Sequence, residues 1–309
     1  MKAIIGYLRD YIRSVNRLVF IYITLFTALM VVLNYRWGLE STIYNLPSYG
    51  LQFAGFFLLF TFIYSTGWLI QGYFSKQSLA TDRFFYVLLL AAPAIFACKT
   101  TMDWASEWAS SNMAFPWNRY WDRVLNWPLK CLWVLLSVMG LWKWGRYPQP
   151  VAGLPAGGFP IRPYLLLLLG MMPLLAFAAT QPDFLHTYPR MQRLAFIEEH
   201  TAHPFWWKLL FEFSYGIDFI TIEFFFRGFL VLALARYAGK DSILPMAAFY
   251  CSIHFGKPML ECITSYFGGI VLGVVVYNTR SIWGGLIVHL GIAWLMELAG
   301  YLGHLYRGV

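Results

Sequence analysis

Long apolar runs broken by short polar segments dominate this chain. Stretches able to cross a hydrocarbon core of about 30 Å fall at 18–34, 50–72, 84–98, 129–144, 164–180, 206–237, 242–256, 259–279 and 281–302. The pattern has the continuity of lipid-facing helices and no strand-like alternation, and it predicts an all-α polytopic membrane bundle of about eight to nine transmembrane helices, some short or tilted. The proline- and glycine-dense segment "RYPQPVAGLPAGGFPIRP", Arg146 to Pro163, breaks helices. It divides the chain into an N-terminal transmembrane helical region, 1–163, and a second region, 164–309.

Composition agrees with this reading. Of 309 residues 59% are hydrophobic, 20% aromatic and 12% charged, against roughly 25% charged in a soluble domain. The net charge of +8 sits mostly at the ends of the apolar runs, where it favours anionic lipid. No basic and aromatic module for nucleic acid stands out. The basic lead "MKAIIGYLRDYIRSVNR" has no small-residue cleavage site behind it, so a removed signal peptide is not expected. With the N-terminus in the cytoplasm, Lys76 and Arg83, then Lys143, Arg146 and Arg162, then Arg236 and Lys240, and finally Arg280 fall on the cytoplasmic side, which satisfies the positive-inside rule. The expected location is a bacterial inner membrane. The tryptophan-rich connection from Lys99 to Pro128 is expected as an anchored outer loop. Cys98, Cys131, Cys251 and Cys262 form no CxxC pair and imply no disulfide framework.

Polar residues enter the apolar runs in the C-terminal third. In "DFITIEFFFRGFL", Glu223 and Arg227 each cost roughly 2.5–3.5 kcal/mol at a bilayer centre, so they must pair or face a polar cavity. Four residues apart, they stand on one helix face and can form an ion pair. The bland reading is a pair that pins helices together. His254 and His289 also lie in apolar runs. Counted at about 1.5 Å per residue from the cytoplasmic flanks, Glu223, His254 and His289 lie at depths of roughly 20, 20 and 14 Å. A carboxylate and two imidazoles in one layer fit the activation of a water and the stabilisation of an oxyanion. Pro258 ends one helix and starts the next, putting Glu261 in a first turn, near a positive helix end. Asp218 lies about a turn further out than Glu223, near the level of Glu261, and either acid can equally be a cap or a partner of Lys257.

Other polar groups have plainer explanations. His200 and His203 in "EEHTAHP" read as a solvated helix start, since no third ligand is evident. Cys251, His254 and Cys262 with His289 match no recognised zinc spacing. Gly269 and Gly273, at GxxxG spacing, and Gly284 and Gly285 read as close helix packing.

These residues resemble the CAAX protease and bacteriocin-processing family, the membrane peptidases that include the Ras-converting CAAX endopeptidase and bacterial Abi proteins. The resemblance covers about Trp206 to Leu302. The family's EExxxR motif, commonly followed by Gly, is matched by Ile222, Glu223, Arg227 and Gly228; its FxxxH motif by Tyr250 to His254; and its HxxxN or HxxxD motif by His289 to Ala293. "FFRG" and "HFGKP" together resemble a bacterial subgroup, some of whose members are linked to protein sorting.

The resemblance implies an endopeptidase of about eight helices that hydrolyses a membrane-associated protein or peptide. Glu223 or Glu261 would then be the base, His254 would orient the water, His289 would stabilise the oxyanion and Arg227 would fix Glu223. No cofactor, or a divalent metal such as zinc, fits the implied chemistry equally. The chain departs from the motifs at Ile222, where the family has its first Glu, and at Ala293, where it has Asn or Asp. Glu223 does not simply replace a carboxylate at 222, because adjacent helix positions point about 100° apart. A catalytically silent membrane scaffold that binds a partner protein is therefore the alternative reading. A proton-relay transporter is disfavoured because no inverted repeat is detectable.

Overall fold

The computed structural model describes residues 2–75, 82–154 and 161–307. Lys76 and part of the expected boundary segment lie outside these residues. Among the described residues there are helices and connections and no strand, so the protein is an all-α membrane protein.

The helices are α1 (Lys2–Ser14), α2 (Arg17–Trp37), α3 (Leu39–Tyr44), α4 (Tyr49–Ser75), α5 (Arg83–Thr101), α6 (Trp104–Asn112), α7 (Trp117–Trp144), α8 (Arg162–Ala178), α9 (Pro182–Thr187), α10 (Phe196–His200), α11 (Pro204–Ile222), α12 (Leu232–Ala238), α13 (Ile243–Ser252), α14 (Met259–Thr279) and α15 (Trp283–Arg307). A π-helical stretch, Glu223–Val231, joins α11 to α12. Among the described residues six helical segments are long and apolar enough to cross a membrane, or seven if the pair Arg162–Ala178 and Pro182–His200, bent by 99°, is one broken span. Their outward faces carry Leu25, Val32, Leu58, Phe62, Leu136 and Leu169 exposed, as contact with lipid requires.

Three stretches differ from the hydropathy reading. The run at 242–256 contains a helix of only ten residues, Ile243–Ser252, all of them buried. At 1.5 Å per residue this is about 15 Å, half a bilayer. The 129–144 run is the second half of a 28-residue helix that begins at Trp117, and α6 also lies within the expected outer loop. Aromatic and charged residues in Trp117–Pro128 lower the local hydropathy without breaking the helix. The run at 206–237 is helical but changes to π geometry at Glu223.

The chain forms two compact units. The first comprises 1–102, 134–159 and 223–285, and the second 103–133, 160–222 and 286–309. In the first, Phe60, Phe96, Phe225, Phe226 and Phe249 are buried and Phe96 and Phe249 pack among the others with ring centroids 5.1–6.2 Å apart. The short helix α13 packs against α2, α4 and α14. Small residues permit this closeness: a Cβ on Gly67 would lie 3.1 Å from the Pro245 Cα, and one on Gly273 would lie 2.9 Å from the Met246 Cε. The expected role of Gly269 and Gly273 in helix packing is what the structure has, with both against α13.

The first unit also gathers basic residues at one end. Arg236 Nη1 donates to the Gly145 carbonyl at 2.8 Å and Arg236 Nη2 lies 4.0 Å from Asp82 Oδ2, and Lys240 Nζ donates to the Ser14 carbonyl at 3.0 Å. Arg17, Arg83, Lys143 and Arg146 belong to the helix ends meeting there. α2 leaves this end with Asn16 as its N-cap, accepting from the Leu18 and Val19 amides. It stops at Gly38, whose φ of 66° makes the left-handed C-cap that favours glycine. Twenty-one residues span roughly 30 Å, so Asn34 and the start of α3 lie at the opposite end.

In the second unit, Tyr120, Val124, Trp127, Leu194, Ile197, Phe211, Tyr215 and Ala293 form a buried cluster, flanked by Trp117, Trp121, Phe196 and Trp207. Tyr120 is fixed by a 2.8 Å hydrogen bond from its hydroxyl to the Trp207 carbonyl.

Candidate functional site

Four of the five expected site residues, Glu223, Arg227, His254 and Glu261, lie in the first unit, and His289 lies in the second. Asp218 also belongs to the second unit.

Glu223 opens the π-helical stretch and Arg227 follows at i+4. Both are completely buried, and Arg227 Nη1 lies 3.2 Å from Glu223 Oε1. The guanidinium carbon of Arg227 sits 3.8 Å from the centroid of the Tyr250 ring, a desolvated cation–π contact worth about 2 kcal/mol or more. Two glycines make room for this cluster. A Cβ on Gly285 would lie 2.6 Å from Glu223 Oε2, and one on Gly228 would lie 2.5 Å from the Ala152 carbonyl oxygen. Gly285 therefore accommodates a carboxylate in addition to packing helices.

Tyr250 connects this cluster to His254. Their rings are 4.7 Å apart, and His254 Nδ1 is 2.9 Å from the Tyr250 carbonyl oxygen. If Nδ1 carries the proton, Nε2 is the lone-pair nitrogen of a neutral imidazole. His254 is half-buried just beyond the end of α13. The chain then turns through Phe255 to Pro258, closed by a 3.0 Å hydrogen bond from the Lys257 amide to the His254 carbonyl, and Pro258 caps α14. Glu261 lies in the first turn of α14 as expected, 3.5 Å from Lys257 Nζ.

A further carboxylate flanks this turn. The Asn34 side chain donates to the Phe255 carbonyl at 2.9 Å, and its oxygen accepts from the Glu40 amide at 3.0 Å. The Tyr35 hydroxyl donates to the Lys257 carbonyl at 2.5 Å. The Glu40 carboxylate lies so close to Gly256 that a Cβ there would overlap Oε1. Burial raises the pKa of Glu40 above the ordinary glutamate value. Sequence reading missed Glu40 because the contact joins positions more than 200 residues apart. The glycine in "HFGKP" was the one local signal.

In the second unit the His289 ring meets the Phe219 ring edge-on, with centroids 4.9 Å apart. Ala293 is buried in the aromatic cluster described above, where an Asn or Asp would strand a polar group in apolar surroundings.

The thiols of Cys251 and Cys262 are buried 3.8 Å apart, and Cys251 Sγ lies 3.3 Å from the Cys262 carbonyl oxygen. Among the described residues no group of three or more His, Cys, Asp and Glu side chains is arranged to hold a metal ion. The combination of Cys251, His254, Cys262 and His289 is therefore not assembled as a ligand set. His200 and His203 are exposed in the second unit.

The buried acid and base on one helix, followed by a histidine one helix later, can be compared with known proteins. Residues 204–295 match the family model described as type II CAAX prenyl endopeptidase, Rce1-like. Over that segment the chain is similar to the CAAX protease and bacteriocin-processing family. The match spans just under a third of the 309 residues and includes Glu223, Arg227, His254, Glu261 and His289. The family points to an intramembrane protease of CAAX type acting on membrane-associated protein. No curated protein and no solved structure matches the chain.

Proposed function

We propose that the protein is an intramembrane endopeptidase that hydrolyses a peptide bond in a membrane-associated protein, CAAX-like or sorted, at the turn that follows His254. The observation that carries this reading is the arrangement around Tyr250. Its ring supports the sealed Glu223–Arg227 pair, and its carbonyl orients His254. In this reading Glu223 and Arg227 hold the frame, while His254 Nε2 orients the water. A carboxylate beside the turn, Glu40 or Glu261, takes the proton of the water as its oxygen adds to the carbonyl carbon. The same carboxylate returns that proton to the amide nitrogen as the C–N bond breaks. Glu40 suits the base because burial raises its proton affinity toward working pH. Glu261 suits it by its place in the first turn of α14.

The positive-inside rule supports a bacterial plasma membrane orientation with the basic end of the first unit, and the N-terminus, in the cytoplasm. The His254 turn packs on Asn34 and Tyr35, at the other end of α2. On this orientation the turn opens toward the outer face, and the scissile bond is presented from there.

The test is cleavage of a co-expressed membrane protein substrate. Loss of processing in His254→Ala at equal abundance supports the mechanism, and full processing by that variant overturns it. Glu40→Gln and Glu261→Gln, compared side by side, identify the base.

A second reading, a catalytically silent scaffold, is favoured by one observation. The position of the family's first Glu is Ile222, only 7% exposed, and the acid that follows it is held by Arg227. A folded chain that retains a partner protein and leaves it intact, with or without His254, identifies the scaffold.

A further inference from the structure

The second unit contains a cavity of about 470 Å³ lined by Arg119, Asp122, Arg123, Trp127, Arg190 and Arg193, with Leu194 and Phe211 completing its wall. Arg119 and Arg123 are one turn apart on α7. Arg190 and Arg193 are three apart on the short 3-10 turn that precedes α10. Two short segments thus turn four guanidinium groups toward one space.

Three acids, Asp122, Glu212 and Glu297, lie near the four arginines and leave one positive charge in excess. Asp122 lies 3.6 Å from Arg123 Nε. Glu297 accepts from the backbone amides of Arg190 and Met191 at 3.0 and 3.3 Å, so part of its capacity is used by the chain. Arg193 experiences repulsion from both Arg123 and Arg190 and attraction from Glu297. Two of the arginines are held by aromatic faces: Arg190 over Tyr215 at 4.9 Å and Arg119 over Phe115 at 5.0 Å. Planar guanidinium groups gathered in this way match the oxygens of a phosphate, with two parallel N–H···O bonds from each fork.

The rest of the lining, Trp127, Leu194 and Phe211, is apolar. Trp117, Trp121 and Trp207 pack in the same cluster, the residue type enriched where a membrane meets water. A ligand that carries both a phosphate and hydrocarbon suits this mixed lining.

We propose that this cavity binds a phosphate-bearing anion, the four arginines holding the phosphate of an anionic phospholipid headgroup. Free phosphate offers the same oxygens without the apolar end. The site is independent of the proposed protease chemistry.

The experiment uses the purified full chain in neutral detergent after delipidation. Dioleoylphosphatidylglycerol or dioleoylphosphatidylcholine is added back at equal amounts and adducts are counted by native mass spectrometry. Melting is recorded in parallel with inorganic phosphate or chloride at equal ionic strength. Preferential retention of one phosphatidylglycerol per chain, falling at least tenfold in Arg123→Gln/Arg193→Gln, supports the headgroup. A phosphate-specific rise in Tm that the same substitutions remove, with no lipid preference, supports a soluble phosphate in the same site. Equal retention of both lipids by the unaltered chain, together with no phosphate-specific rise in Tm, overturns the proposal without relying on a variant that folds. The Arg123→Lys/Arg193→Lys chain, which keeps the charge but loses the forks, is expected to retain less phosphatidylglycerol than the unaltered chain.

Discussion

Replacing Glu223 by glutamine keeps the shape of the side chain and removes one charge from a completely buried pair. At the 3.2 Å separation of Arg227 Nη1 and Glu223 Oε1, the Coulomb attraction is about 5 kcal/mol at an effective dielectric of about 20. Breaking a buried pair from one side typically costs about 3–5 kcal/mol, because the remaining charge loses its compensation. The Tyr250 face under Arg227 persists in the variant, so a loss of about 3–5 kcal/mol in unfolding free energy is expected. Equilibrium unfolding in mixed micelles, with SDS as denaturant and tryptophan fluorescence as the signal, measures it. A chain carrying both Glu223→Leu and Arg227→Met contains no stranded charge and should recover most of the loss, since apolar replacements of buried pairs are often neutral or stabilising. If Glu223→Gln unfolds within about 0.5 kcal/mol of the unaltered chain, well under the 3–5 kcal/mol of a broken buried pair, the framework role is wrong. Loss of cleavage at unchanged stability would instead make Glu223 a working acid or base.

Gly285→Ala should destabilise the chain by about 1–3 kcal/mol, the usual cost of overpacking, because the new methyl group meets Glu223 Oε2; made in a Glu223→Ala chain, it should lower Tm less, relative to that chain, than it does in the unaltered one. Gly256→Ala should displace the Glu40 carboxylate and slow substrate cleavage more than it lowers Tm, and unchanged cleavage would remove Glu40 from the site. Glu40→Gln tests burial through pH. The folded pKa of Glu40 is raised, so its stabilising contribution is present below the unfolded glutamate value of about 4.3 and is lost as pH rises through the folded value. Glu40→Gln should therefore melt above the unaltered chain at pH 8 and together with it below about pH 4, and equal melting at both pH values would contradict the direction of the shift.

Hydropathy exposed the membrane class because lipid-facing residues such as Leu58 and Leu169 must be apolar wherever they fall in the sequence. It misread α13 because a helix buried within protein and a helix exposed to lipid have the same composition. The Glu223–Arg227 pair was legible from helical spacing, and Pro258 and Glu261 from the rule for helix starts. Glu40 was not legible, since its place depends on Asn34 meeting Phe255 across the fold. The arginine cavity was half legible. Arg119 with Arg123 and Arg190 with Arg193 each share a helical face by spacing, but only the folded chain brings the two pairs to one space. Ala293, which departs from the family motif, is explained only by the aromatic cluster around it.

The position of α13 has a consequence for how the protein is made. Its neighbour α4 ends at Ser75 and α13 begins at Ile243, so 167 residues separate two helices that pack at Gly67 and Pro245. At about 5–20 residues per second, the ribosome completes α4 roughly ten to thirty seconds before its partner emerges. During that interval Gln71, 3% exposed in the finished fold, has lipid or an insertion factor where the rest of the first unit will be. A chain stalled before Ile243 should carry that unfilled notch, making it a substrate for membrane quality control.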